Sequence, residues 1–142
     1  MTLSNIERFN DYAGQVLAAL YEVFPTPRPL LPGQFIDGGE SAVLDPTGFT
    51  GAELTPEAGF FMHTVSWLRS AGYISGSETQ HAFSDCVLTP KGLEALNAVP
   101  DSLNNPQPLG ERMVNAAKGS AKDLLQTAVR ELISIGVKTM AS

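Results

Sequence analysis

The pair Thr-Pro occurs twice in this chain, at residues 55–56 and 89–90, each time directly before a short amphipathic stretch. Threonine is a preferred helix N-cap and proline is favoured at the first helical position, so each pair predicts the start of a helix. Gly72 predicts the end of the first of these helices, because glycine adopts the left-handed conformation of a helix C-terminus without steric cost. Two apolar runs between Gly72 and the second pair predict the strands of a β-hairpin with a polar tip. The two pairs therefore confine residues 55–99 to the order helix, hairpin, helix.

The part of the chain before this unit divides into a helix and an irregular segment. Ser4 and Glu7 form a capping-box pattern at the start of an apolar stripe with helical spacing, and Pro25 ends that stripe. Residues 25–54 are rich in turn signals, and we expect a short strand or helical turn there, because a structureless loop of that length is unusual in a compact domain. The side chains expected to face the core of residues 1–100 are Ile6, Phe9, Ala13, Val16, Leu17, Leu20, Phe24, Phe35, Ile36, Leu44, Phe49, Phe61, Thr64, Val65, Leu68, Ala71, Leu93, Leu96 and Val99.

Two motifs within residues 55–99 are more specific than the order of elements. They are residues 65–74, VSWLRSAGYI, and residues 88–96, LTPKGLEAL. Together they resemble the winged helix-turn-helix superfamily, in particular its MarR and PadR kind, in which a recognition helix ends at a glycine and the second wing strand enters the next helix through a Leu-Thr-x-Lys-Gly turn. The resemblance implies an α+β fold, mainly helical with a small β-hairpin, in which residues 55–72 are the recognition helix.

The C-terminal part of the chain carries a second long apolar stripe. Beyond a polar linker at residues 101–108, residues 109–142 are spaced for one helix, which at about 1.5 Å per residue would extend about 40 Å. We therefore expect a winged-helix domain at residues 1–100 and a C-terminal helical arm. The arm resembles the dimerisation element of PadR-type regulators, which implies a homodimer through residues 109–140; a helix packed back along the chain's own first helix is the alternative. The predicted seam consists of Met113, Ala117, Ala121, Leu124, Ala128, Leu132 and Ile135.

Composition and charge limit the compartment and the partner. The chain has 43% hydrophobic and 17% charged residues, a globular composition, and its formal net charge is −6. Residues 29–90 hold one basic side chain, Arg69, against seven acidic ones. The N-terminus lacks the pattern of a secretory signal, no stretch approaches a membrane span, and Cys86 is the only cysteine. We therefore expect a cytoplasmic protein without membrane contact.

The acidic middle of the chain affects which partner the recognition helix can bind. Nonspecific DNA affinity comes largely from phosphate neutralisation, which an acidic surface does not supply. We therefore expect contact with another protein through exposed aromatic and methionine side chains, although the same residues complete the core in the simplest alternative. Double-stranded DNA is the second candidate partner, if folding gathers Arg8, Arg28, Arg69 and Lys91. The residues of the predicted partner surface are Glu57, Phe60, Met62, His63, Trp67, Arg69, Glu78 and His81.

The sequence offers no convincing site for catalysis, a metal or a cofactor. Cys86 lies near His81 and Asp85, but neighbouring residues of a strand point to opposite faces, so Cys86 is expected to pack inward. His63 and His81 are the only histidines, and with scattered carboxylates they do not match a zinc site. We therefore expect a non-enzymatic protein that needs no cofactor.

Overall fold

The computed structural model describes residues 4–45, 53–99 and 107–141, and within these ranges the chain is a mixed structure of helices and a small sheet. Three antiparallel strands form a sheet in the order β1 (Arg28–Leu30), β5 (Phe83–Leu88) and β4 (Ile74–Glu78), and β2 (Leu44–Asp45) and β3 (Glu53–Leu54) form a separate two-stranded ladder. This confirms the α+β class. Over the same ranges, no helix is both long and apolar enough to cross a membrane. The elements are α1 (Asn5–Val23), β1 (Arg28–Leu30), β2 (Leu44–Asp45), β3 (Glu53–Leu54), α2 (Pro56–Ser70), β4 (Ile74–Glu78), β5 (Phe83–Leu88), α3 (Pro90–Asn97), α4 (Leu109–Lys118) and α5 (Lys122–Ala141).

Helix α1 begins and ends where the sequence predicts. The Glu7 amide donates a hydrogen bond to the Ser4 hydroxyl at 3.1 Å, and the Ser4 amide donates one to the Glu7 carboxylate at 3.4 Å, which completes the capping box. The middle of its apolar stripe is buried against α2, β5 and the two C-terminal helices. The prediction that Ile6 and Phe24 share this buried face is wrong. They are 68% and 37% exposed, because each lies at one end of the helix.

The segment between α1 and α2 contains both a strand and helical turns, as the sequence predicts. β1 pairs antiparallel with β5, and Leu30 lies opposite Phe83. Two 3-10 turns follow, at Pro32–Gln34 and Gly39–Ala42. The segment therefore adds a third strand to the hairpin before the chain enters α2.

The packing of this segment is predicted only in part. Ile36 is buried, and the ring of Phe35 stacks on Phe61 with centroids 5.0 Å apart, so both contribute to the core. The predicted packing of Leu44 is wrong, because this residue lies in the short outer ladder and is 39% exposed. Phe49 lies outside the described residues.

Helix α2, the hairpin β4–β5 and helix α3 follow the predicted order. The hydroxyls of Thr55 and Thr89 cap α2 and α3 by accepting hydrogen bonds from amides three residues further on. Gly72 ends α2 with a φ of +88°, which favours glycine. β4 extends to Glu78, further than the sequence predicts, because its polar residues pair with β5. The predicted inward position of Val99 is wrong: this residue lies beyond the end of α3 and is 51% exposed.

The C-terminal segment consists of two helices, and the prediction of one long helix is wrong. α4 ends at Lys118 with Gly119 as its C-cap, Ser120 adopts a left-handed φ of +55°, and α5 begins at Lys122. Both helices pack on α1 and on each other. α5 approaches α1 closely at Gly14, where a Cβ atom would lie 2.5 Å from Cγ of Leu125. The segment therefore completes the core of the chain instead of extending away from it.

This packing shows what the predicted dimer seam contacts within one chain. Of its seven residues, three are buried, three are partly buried against the same core and one is 66% exposed. The buried residues are Met113, Ala128 and Leu132. The partly buried ones are Ala117, Ala121 and Ile135, and the exposed one is Leu124. These contacts are the ones expected from the alternative interpretation, in which the C-terminal segment packs along the chain's own first helix. Dimerisation through this segment stays a prediction, and most of the predicted linker lies outside the described residues.

Candidate functional site

The predicted partner surface lies on α2 and on the hairpin that follows it. Six of its eight residues belong to α2, Glu78 ends β4, and His81 lies between β4 and β5. An α-helix has 3.6 residues per turn, so six residues spread over positions 57–69 cannot all point to one side. The structure divides them between the core, ion pairs with neighbouring elements and the exposed outer face of α2.

Glu57 joins the first turn of α2 to α1. Its carboxylate accepts a hydrogen bond from Arg8 Nη2 at 2.7 Å and a second from the Tyr12 hydroxyl. Burial, and then the hydrogen bond to Glu57, raise the pKa of Tyr12 well above its ordinary value. Arg8 and Tyr12 precede Glu57 by 49 and 45 residues, so no local spacing in the sequence indicates this cluster. The single acidic residue of α2 is therefore neutralised within the chain.

Phe60 and Met62 differ in what they offer to a partner. Met62 is 6% exposed and belongs to the core, so its predicted place on the partner surface is wrong. It lies one turn from Ala58, which is also buried on this side of α2. Phe60 is partly buried, and the guanidinium of Arg8 lies 4.0 Å from its ring centroid. That cation–π contact covers one face of the ring.

Trp67 is the large apolar side chain that α2 presents to solvent. It is 45% exposed, although its ring meets Phe9 edge-on at 5.1 Å and stacks near Tyr73 at 6.5 Å between centroids. His63 lies one turn earlier and is also exposed. Tryptophan held by flanking rings presents apolar area together with an indole N–H, a combination frequent at protein interfaces.

Arg69 and Glu78 connect the end of α2 to the hairpin. Arg69 Nη1 lies 3.7 Å from Glu78 Oε1, and its guanidinium lies 5.7 Å from the ring centroid of Phe83. His81, in the connection from β4 to β5, is partly buried. The basic residue that the sequence assigns to this surface is therefore already paired with an acidic residue of the same surface.

In the folded chain, each of the four cations whose clustering would favour DNA binding contacts a different partner. Arg8 binds Glu57, and Arg69 binds Glu78, while Arg28 donates to Gln34 Oε1 at 2.9 Å. Lys91 Nζ donates to the carbonyl oxygen of Ala71 at 2.7 Å, and it lies 4.6 Å from the Tyr73 ring centroid. Sequence reasoning missed that Lys91, the lysine of the Leu-Thr-x-Lys-Gly turn, caps the C-terminus of α2.

Cys86 packs inward, as the sequence predicts. It is fully buried, whereas the adjacent Asp85 is exposed with a φ of +53°. Burial raises the pKa of the Cys86 thiol, which disfavours the reactive thiolate. In the ranges that the structure describes, no group of three or more His, Cys, Asp or Glu side chains comes together in a way that could hold a metal ion.

Comparison of the chain with models of protein families, with curated proteins and with solved structures found no match.

Proposed function

We propose that this chain is a regulatory or adaptor protein without a catalytic centre, built on a winged-helix domain whose recognition helix α2 and wing β4–β5 contact another protein. Three features support the winged-helix assignment. β1 pairs with the second strand of the hairpin, the hairpin follows α2 directly after Gly72, and α3 starts at Thr89 as soon as β5 ends. This order matches the family motifs in residues 65–74 and 88–96.

The segment before α2 differs from that of a DNA-binding helix-turn-helix. There, a first helix crosses the DNA backbone and a short turn leads to the recognition helix. Within the part of this segment that the structure describes, short 3-10 turns at Pro32–Gln34 and Gly39–Ala42 precede α2. Asp37 and Glu40 are exposed on or beside these turns. An acidic surface at this position would repel a phosphate backbone.

The observation that carries the proposal is that the cations around α2 are engaged within the chain, while its tryptophan is exposed. A phosphate group would have to compete with Glu57 for Arg8 and with Glu78 for Arg69. Trp67 can contact a partner without displacing another residue, because 45% of its surface is already accessible. Tryptophan is enriched among the residues that dominate protein–protein binding energy.

The first test separates protein from DNA as the partner. A labelled mixed-sequence duplex is titrated with the protein at about 20 mM and about 150 mM salt, and binding is followed by fluorescence anisotropy. We expect no saturable binding at either salt concentration. Tight binding that weakens steeply with salt would contradict the proposal and support the DNA-binding alternative. In that case Arg69→Ala should weaken binding and flatten its salt dependence.

The second test asks whether α2 is the contact surface. Immobilised wild type, Trp67→Ala and a control variant on the exposed side of α3, Glu94→Ala, are compared for the proteins that they retain from a native extract. We expect a specific protein that binds wild type and Glu94→Ala and is lost with Trp67→Ala, provided that circular dichroism shows all three folded. Equal retention by Trp67→Ala would show that the outer face of α2 is not the contact.

A further inference from the structure

The outer face of α2 carries no charge along most of its length. Phe60, His63 and Trp67 follow one another at three- and four-residue steps, which places them on one side of the helix. His63 and Trp67 are exposed, and Phe60 is partly buried. The sequence from Ala58 to Leu68 contains no Lys, Arg, Asp or Glu. This face therefore offers aromatic area, and the charges that a partner meets come from the residues around it.

An acidic rim lies at the N-terminal end of α2. It consists of three exposed carboxylate side chains, Asp37, Glu40 and Glu53. The amide of Thr55, the N-cap of α2, donates a hydrogen bond to the Val43 carbonyl oxygen at 2.9 Å. This bond holds the 3-10 turn that contains Glu40 against the start of the helix. Glu53 precedes the same N-cap by two residues.

The charges of the acidic rim are not neutralised by the described residues. None of its three carboxylates forms an ion pair with another residue that the structure describes, whereas Arg8 is already bound to Glu57 at 2.7 Å. Burial and Glu57 raise the pKa of Tyr12, and the negative charge of Asp37 raises it further, so the field of Asp37 reaches the first turn of α2. The N-terminal end of α2 therefore has an excess of negative charge, which attracts cations.

We propose that the protein segment bound by α2 is basic, with an apolar side chain that packs on Trp67 and Lys or Arg side chains that reach the acidic rim. The inference rests on the proposed function, in which α2 contacts another protein. Trp67 follows Glu57 by ten residues, about 15 Å along the helix axis, which sets the separation of the two contacts. Complementary charge favours such a segment over acidic partners. A second copy of this chain fits poorly, because its net charge is −6.

The test uses three labelled helical peptides built on alanine and glutamine, and binding to the whole chain is followed by fluorescence anisotropy. The basic–apolar probe carries lysines in its first two turns and leucines in its last two. One matched probe has glutamates in place of the lysines, and the other has glutamines in place of the leucines. Each is titrated at about 20 mM and about 150 mM salt, because salt screens contacts between exposed charges.

Two sets of substitutions separate local charge from net charge. The first set neutralises the acidic rim with Asp37→Asn, Glu40→Gln and Glu53→Gln. The control set makes the same change in net charge at exposed carboxylates of α3, α4 and α5, with Glu94→Gln, Glu111→Gln and Asp123→Asn. Carboxylates near a helix N-terminus also stabilise the helix dipole, so circular dichroism is used to show that each variant is folded.

We expect the basic–apolar probe to bind saturably at about 20 mM salt and several-fold more weakly at about 150 mM salt. Neutralising the acidic rim should weaken binding about tenfold, because three exposed ion pairs are lost. Trp67→Ala should weaken it at least as much, because the apolar contact is lost. The control set should bind like wild type, and both matched probes should bind more weakly than the basic–apolar probe.

The inference fails if the neutralised rim binds like wild type, if the control set weakens binding equally, or if no probe binds saturably. It also fails if binding to wild type does not depend on salt, a result that requires no variant to fold. A glutamate probe that binds as tightly as the lysine probe and is lost with Trp67→Ala would exclude a basic partner but leave the proposed function in place. Binding of the basic–apolar probe that is unchanged in Trp67→Ala would contradict the proposed function as well.

Discussion

The hairpin unit (residues 55–99) and the helical layer (α1, α4 and α5) are specified by different kinds of information. Each element of the hairpin unit begins or ends at a residue with a local signal, such as the cap Thr55, the left-handed Gly72 or the cap Thr89. The helical layer depends on contacts between distant residues. α1 meets α5 where Gly14 adjoins Leu125, and a Cβ atom on Gly110 of α4 would lie 2.5 Å from the ring of Tyr21. Local signals therefore predict the first region well, whereas in the second they predict helical segments but neither their contacts nor the break between α4 and α5.

The largest expected effect comes from deleting residues 109–142. The deletion removes Leu109, Met113, Leu125, Val129 and Leu132 from the core, and each buried side chain of this kind contributes about 1.5–3 kcal/mol. That total is comparable to the whole stability of a typical domain, about 5–15 kcal/mol. We expect the truncated chain to lose cooperative urea unfolding as measured by far-ultraviolet circular dichroism. A truncated chain that remains folded and monomeric would instead support the predicted dimer seam.

Glycine substitutions compare how each region tolerates a single methyl group. A Cβ atom at Gly92, in the hairpin unit, would lie 2.1 Å from the backbone carbonyl oxygen of Tyr73, whereas the one at Gly14 would meet the movable side chain of Leu125. We expect Gly92→Ala to destabilise the protein by about 3 kcal/mol and Gly14→Ala by about 1–2 kcal/mol, measured by urea unfolding.

Gly59→Ala is the matched control for this pair. A Cβ atom there meets nothing within 4 Å, and alanine is favoured over glycine in a helix, so we expect a gain of about 0.5–1 kcal/mol. A larger loss for Gly14→Ala than for Gly92→Ala would mean that the helical layer, not the hairpin unit, has the less adaptable packing.

The smallest expected effect is on alkaline stability, and it involves one tyrosine from each region. Burial raises the pKa of both Tyr12 and Tyr73, and the hydrogen bond to Glu57 raises that of Tyr12 further. A raised pKa contributes stability that is fully present below about pH 10 and is lost as the pH rises above it. The urea midpoint should therefore begin to fall as the pH is raised above about pH 10. Tyr12→Phe should reduce this fall more than Tyr73→Phe does, and equal reductions would contradict the stronger role of Tyr12.

The candidate site was predictable only where its residues act locally. The exposed Trp67 lies on a face that helical periodicity assigns, and the buried Cys86 follows from strand alternation. Periodicity did not show that Met62 lies on the buried side, because the elements that cover α2 come from other parts of the chain. It also could not show that Arg8 neutralises Glu57, since 49 residues separate them.

The sequence by itself determined the starts of α1, α2 and α3, the glycine stop of α2, the hairpin and the inward position of the cysteine. These features depend on backbone hydrogen bonds and steric limits that act within a few residues. Only the tertiary structure decided that α5 begins after a left-handed Ser120 and packs on α1, that the cations around α2 are paired, and that the acidic rim lies at the start of α2. These features depend on which surfaces meet when distant segments bury their apolar faces together, and no local pattern encodes that choice.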